Sequence, residues 1–176
     1  MRYSLSPDKI SREEARNRKI SVTQMRERIE QDEKKILERL NATCPGTLMG
    51  TLGIRFTEVG PDYIRCTMPV GKPHMRIGGF LHGGATMALI ETAGGSGSFM
   101  FADTRRESVL GIDISASHLS PGMAGDVLTA TARAEHLGHT IHVWRVEVRA
   151  QDGRMISVGK VTNVVMPRPN IGEGGA

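Results

Sequence analysis

The sequence predicts an α+β fold, with one long helix packed on one curved antiparallel sheet. The stretch from about His82 to Ala102 is apolar and rich in small residues without β-branched runs, the composition of a helix. Four strand-like runs follow, roughly 107–119, 125–137, 140–151 and 154–167, parted by turn signals at Pro121-Gly122, Gly138-His139 and Asp152-Gly153. At 176 residues the chain is long enough for one domain with a full core and short for two.

The first forty or so residues are rich in Arg, Lys and Glu and carry two capping-box patterns, Ser11 to Glu14 and Ser21 to Gln24. They read as one or two helices. Met25, Ile29, Ile36, Leu37 and Leu40 form a sparse apolar stripe, enough to lay a helix on a surface but thin for an independent domain. Pro45-Gly46 closes this helical extension, residues 1–45. Strands are expected from Leu48 onward. Between Tyr63 and Val70 the residues alternate, with Ile64, Cys66, Met68 and Val70 on one side, as in a half-buried strand. A loop rich in Gly, Pro and His leads into the long helix, and the core domain runs over 46–169. The Gly-rich tail, 170–176, reads as disordered.

The formal net charge of +4 favours anionic partners without choosing among them. Cys44 and Cys66 are the only cysteines, which excludes a disulfide framework and a CxxC metal or redox site. The charged N-terminal stretch has no apolar signal region, and no run reaches the length of a membrane span, so a cytoplasmic location is expected. His136, His139 and His142 straddle the Gly138 turn in extended structure, a path that scatters rather than converges them, so no metal is expected.

The informative residue is Glu91, a single carboxylate in a helix otherwise apolar or small. An ionised carboxylate is costly to bury unless it is paired. Helical spacing puts Gly84, Met87, Ala88, Gly94, Gly95 and Ser98 on its face, leaving room for another backbone or a ligand. The second feature is the run Gly78 to Gly84, a glycine-rich loop feeding into the helix, whose free N–H groups and positive dipole end suit a developing oxyanion. Gly83 and Glu91 are eight residues apart, ~12 Å along one helix, so they cannot both touch one carbonyl. If both act, two helices related by a two-fold axis must bring the donor of one subunit to the carboxylate of another. His118 shares parity with Ile112, Ile114 and Ala116 and is expected to point toward the helix, as a core histidine or a substrate contact.

Gly79 to Ala85, Ala88 to Thr92, Gly111 to Pro121 and the hairpin around Asp152 to Arg154 carry a resemblance to a known family. From about Leu48 to Pro167 the chain resembles the hotdog-fold acyl-CoA thioesterases of the PaaI type. It is most similar to their Glu-using branch, which includes hydroxybenzoyl-CoA thioesterases and the enterobactin-pathway proofreading thioesterase. The resemblance implies a hotdog fold, a long central helix wrapped by an antiparallel sheet, assembled as a homodimer that pairs again into a tetramer. It implies an acyl-CoA substrate, no cofactor, and no nucleic-acid or membrane partner. By position it assigns Glu91 as nucleophile or general base, the Gly83 N–H as carbonyl donor, His82 as support for that loop, and Gly84, Arg76, Gly95 and His118 to substrate binding.

Two positions depart from the family pattern. Arg76 stands where relatives place Gln or Asn, and Gly95 where they place Ser or Thr. Arg76 is expected either to pair with Glu91 or to hold an anionic substrate group; Ser96 or Ser98 is expected to replace the missing hydroxyl. For the CoA phosphates, Arg133, His139, Arg154 and Lys160 are candidates. The competing reading is a non-catalytic acyl-CoA sensor that uses the N-terminal helices as a DNA-binding or protein-docking arm; the retained Glu91, and an extension short for a three-helix DNA reader, speak for the enzyme.

Overall fold

The computed structural model describes residues 21–168. The Ser11 capping pattern and the 170–176 tail lie outside them. Helix α1 (Val22–Ala42) begins at Ser21 with a reciprocal capping box: the Gln24 N–H donates to Ser21 Oγ at 3.2 Å and the Ser21 N–H to Gln24 Oε1 at 2.9 Å. Its apolar stripe joins the main core, with Ile29 buried and Met25, Ile36, Leu37 and Leu40 packed around it.

Strands do not start at Leu48. Leu48–Thr51 is a short helix, α2, and β1 (Arg55–Val59) follows a turn in which Gly53 takes φ +64°, the left-handed conformation that ends helices. The run Leu-Met-Gly-Thr has no alternation to hold it in a sheet. β1 is an edge strand, and α1 covers it through Asn41. The Asn41 amide donates to the Phe56 carbonyl and accepts from the Phe56 N–H, both at 2.9 Å, standing in for a neighbouring strand.

β2 (Tyr63–Pro69) buries Ile64, Cys66 and Met68, as its alternation predicts. Helix α3 (Gly83–Phe101) precedes β3 (Glu107–His118), β4 (Val127–Leu137), β5 (Ile141–Ala150) and β6 (Met155–Pro167). The six strands pair antiparallel in the order β1-β2-β4-β5-β6-β3, so β3 forms the second edge. α3 packs on one face of this sheet, burying Leu89, Ile90 and Ala93. Added Cβ atoms would meet Val161 at 2.7 Å from Gly94 and the Trp144 ring at 2.8 Å from Gly97, so both glycines admit the sheet to the helix backbone. Ser98 Oγ accepts from Trp144 Nε1 at 2.8 Å and from Asn163 Nδ2 at 2.9 Å, which satisfies the polar atoms enclosed there. Burial in this core pushes the Cys66 thiol up to about 12.

The parity that groups Ile112 with Ile114 and Ala116 fails at one residue. β3 pairs Gly111 with Asn163 and Asp113 with Thr162, leaving Ile112 as the extra residue of a bulge, 56% exposed. Beyond it, Ile114 and Ala116 pack against the core as expected. Among the described residues no helix is long and apolar enough to cross a membrane.

Candidate active site

The loop before α3 needs its glycines. Gly78 and Gly79 both have positive φ, 98° and 81°, and fold the chain back so that the Arg76 N–H donates to the Phe80 carbonyl at 2.8 Å. His82 then caps α3 with an extended backbone. Its Nδ1 accepts from the Gly84 N–H at 2.8 Å, and its carbonyl accepts from Ala85 and Thr86. A neutral His82 therefore carries its proton on Nε2. Gly84 permits that bond, because a Cβ there would sit 2.9 Å from His82 Nδ1. The His82 N–H in turn donates to the His74 carbonyl at 2.8 Å, which fixes the loop to the turn below it.

Three of the four first N–H groups of α3 are thus occupied. The Gly83 N–H makes no hydrogen bond among the described residues. It lies at the positive end of a 19-residue helix, where an acceptor with developing negative charge is stabilised. His118, at the end of β3, lies against Gly83: a Cβ on Gly83 would be 2.9 Å from its Nε2. Its Nδ1 is 2.7 Å from Ser157 Oγ on the paired strand β6. Gly83 and His118 open onto a cleft of about 510 Å³, whose floor includes the buried Leu81, Thr86, Gly122 and Ile156, and whose rim includes the exposed Arg76, Phe80 and Leu119.

His82, Gly83, Gly84, His118 and Arg76 therefore gather at one end of α3. Glu91 does not join them. It stands two turns further along, exposed, with its carboxylate beside β3, where a Cβ on Gly111 would meet Oε1 at 3.1 Å. The open face around it is narrower than helical spacing suggests. Gly94 and Ser98 turn to the sheet and are filled by Val161, Trp144 and Asn163, whereas a Cβ on Gly95 would meet nothing within 4 Å. Ser98, fully buried and bonded into the core, cannot supply the hydroxyl missing at Gly95; Ser96, half-buried, remains.

Among the described residues Arg76 and Glu91 form no ion pair within the chain. Arg76 instead donates from Nη1 to the Ile77 carbonyl at 3.1 Å and stacks on Phe80. Of the suggested phosphate ligands, Arg154 is already bonded to Asp126, Asp152 and the Pro121 carbonyl, a hairpin lock rather than an open cation. His142 is buried against Phe101, and among the described residues no three His, Cys, Asp or Glu side chains cluster as metal ligands. Ser157 escaped the sequence reading: a serine on a strand gives no signal until its partner across the ladder is known to be His118.

The exposed edge around Glu91 is apolar. Leu110 and Ile112 on β3 and Phe99 on α3 are 52%, 56% and 46% exposed, at the edge of the sheet formed by β3.

This chain belongs to the Thioesterase superfamily, hydrolases of thioesters on the hotdog fold; the family's profile matches residues 78–157, which include the cap, Glu91 and the cleft lining apart from Arg76. It is 37% identical over 132 residues to the proofreading thioesterase EntH of Cronobacter turicensis, covering 74% of this chain and 93% of the relative. It is 32% identical over 133 residues to the 1,4-dihydroxy-2-naphthoyl-CoA hydrolase of Escherichia coli K12, covering 76% and 96%. A mutant thioesterase from Pseudomonas aeruginosa superposes with a TM-score of 0.72 at 35% identity, covering 75% of this chain and 94% of that one.

Proposed function

We propose that this chain hydrolyses acyl-CoA or aryl-CoA thioesters to the free acid and CoA, at a site shared between two copies of itself. The unbonded Gly83 N–H carries this reading. It is a donor left open at a helix N-terminus, facing a cleft, on the same helix as an exposed carboxylate ~12 Å away. A second copy docked edge to edge along β3, covering Leu110, Ile112 and Phe99, can bring its own Glu91 to the Gly83 of the first. Pairing of such dimers gives the tetramer.

In that arrangement the thioester oxygen accepts from the Gly83 N–H, so charge developing on it meets a donor that needs no reorganisation. Glu91 of the other copy either attacks the carbonyl carbon, expelling the CoA thiolate and leaving an anhydride that water then hydrolyses, or takes a proton from a water that attacks directly; in both routes the proton released by that water neutralises the CoA thiolate. His82 acts by holding Gly84 and the loop, and His118, pinned by Ser157, lines the acyl side. Relatives named as CoA and proofreading thioesterases support the substrate class.

Thiol release across short, medium, long and aromatic acyl-CoAs tests this, with wild type run beside Glu91→Gln. Turnover that falls ~100-fold or more in the variant, at an unchanged melting temperature, supports a catalytic carboxylate. Equal inactivity of both proteins with acyl-CoA still bound replaces the enzyme by the sensor reading.

A further inference from the structure

The cleft beside Gly83 has an uneven lining. Leu81, Gly122 and Ile156 give its floor an apolar surface, and Phe80 adds an aromatic ring at the rim. Among the described residues Arg76 is its one permanently charged lining residue, and no carboxylate lines it.

The guanidinium is held in place. Nη1 donates to the Ile77 carbonyl at 3.1 Å, and Cζ lies 5.1 Å from the centre of the Phe80 ring. The turn that sets this stack is closed by the Arg76–Phe80 and Gly79–Arg76 backbone bonds, at 2.8 and 3.2 Å, with Gly78 and Gly79 in a conformation that side chains rarely adopt. Among the described residues a carbonyl and an aromatic face are its only partners, which leaves the cation without an anion and most of its N–H donors unused. The planar fork matches a carboxylate with two parallel hydrogen bonds, and holding the side chain beforehand lowers the entropy cost of binding.

On the thioesterase reading above, we infer that Arg76 selects acyl or aryl groups that carry their own anionic substituent, a carboxylate above all, on an otherwise apolar body. The body lies on the floor and against Phe80, and the substituent meets Arg76 at the rim. Two other anions compete for the same cation, a phosphate of CoA and Glu91 of the second copy. Neither would distinguish one acyl group from another, so a preference between acyl groups separates this inference from both.

The test uses matched pairs, adipoyl-CoA with hexanoyl-CoA and 4-carboxybenzoyl-CoA with 4-methylbenzoyl-CoA, on wild type, Arg76→Gln and Arg76→Lys. Thiol release gives kcat/KM, and calorimetry with the corresponding non-hydrolysable CoA thioethers gives Kd. Expected is a wild-type preference of ~10-fold or more for the carboxylate member of at least one pair, lost in Arg76→Gln and partly kept in Arg76→Lys. An Arg76→Gln effect equal on both members of each pair overturns the inference. If that equal effect vanishes with dephospho-CoA thioesters, Arg76 holds a CoA phosphate; if it persists with a shifted pH profile, it pairs with Glu91. Should no thioester turn over, the hydrolase reading fails by itself, and the calorimetric preference still decides the role of Arg76.

Discussion

Gly94 and Gly97 on one side of α3 and Gly95 on the other are chemically identical and at most three residues apart, yet they meet opposite surroundings. Against the sheet, a single added methyl would run into Val161 or the Trp144 ring; on the far side it would meet nothing. The inner glycines are explained by packing within one chain: they bring the helix backbone onto the sheet, and Ser98 and Asn163 complete a dry, hydrogen-bonded interior. The outer glycine, with Glu91 and Phe99 along the same line of the helix, has no such packing contact among the described residues. Small residues in one helix therefore meet two surroundings, the chain's own sheet and an open face.

Three perturbations sharpen that contrast, beginning with the inner side. Gly97→Leu drives a branched side chain into Trp144 and is expected to cost about 3 kcal/mol, read as a lower urea midpoint. A loss below ~1 kcal/mol would mean that helix and sheet separate easily.

Next comes the dryness of that interior. Native Cys66 is held neutral up to about 12, whereas an unfolded thiol ionises near its ordinary value of 9.0. Below that ordinary value both states are protonated and the contribution is complete. Above it the unfolded chain loses its proton first, so stability falls by up to ~1.4 kcal/mol per pH unit until the folded thiol also ionises. Urea midpoints at pH 8 and 10 for wild type and Cys66→Ala measure this as a steeper fall in wild type. Parallel curves would show that water reaches the thiol.

The smallest effect belongs to the outer side. Gly95→Ala is expected to raise stability by ~0.5–1 kcal/mol through helix propensity, since nothing obstructs the methyl among the described residues. A destabilisation of similar size, measured at concentrations where copies associate, would show that a partner approaches that backbone closely.

The same contrast explains what could be read from the residues alone. The four C-terminal strands and α3 were legible because alternation, turn residues and small apolar composition are local signals. Ile112 was misplaced because a bulge depends on how β3 registers with β6, which no single strand announces. Asn41 as a cover for β1, and Ser157 as the anchor of His118, are long-range pairings between residues common on any surface. The glycine-rich entry marked the start of α3 as a helix end suited to negative charge, but the His82 cap was not read from it, because histidine is not among the usual capping residues. The surroundings of Glu91 were not legible, because Gly111 comes beside it only through the packing of α3 against β3.

Mixing two inactive variants tests the shared site most directly. Glu91→Gln removes the carboxylate. Gly83→Pro removes the N–H at the first helical position, where proline is favoured and the His82 ψ of 128° accepts it, and it also displaces His118. After co-refolding, with dimers verified by sizing, half the dimers are mixed, and each mixed dimer holds one site with both native groups. A site shared across the two-fold axis predicts recovery of about a quarter of wild-type kcat. Mixtures that stay as inactive as the separate variants would place Gly83 and Glu91 in separate roles and contradict the shared site.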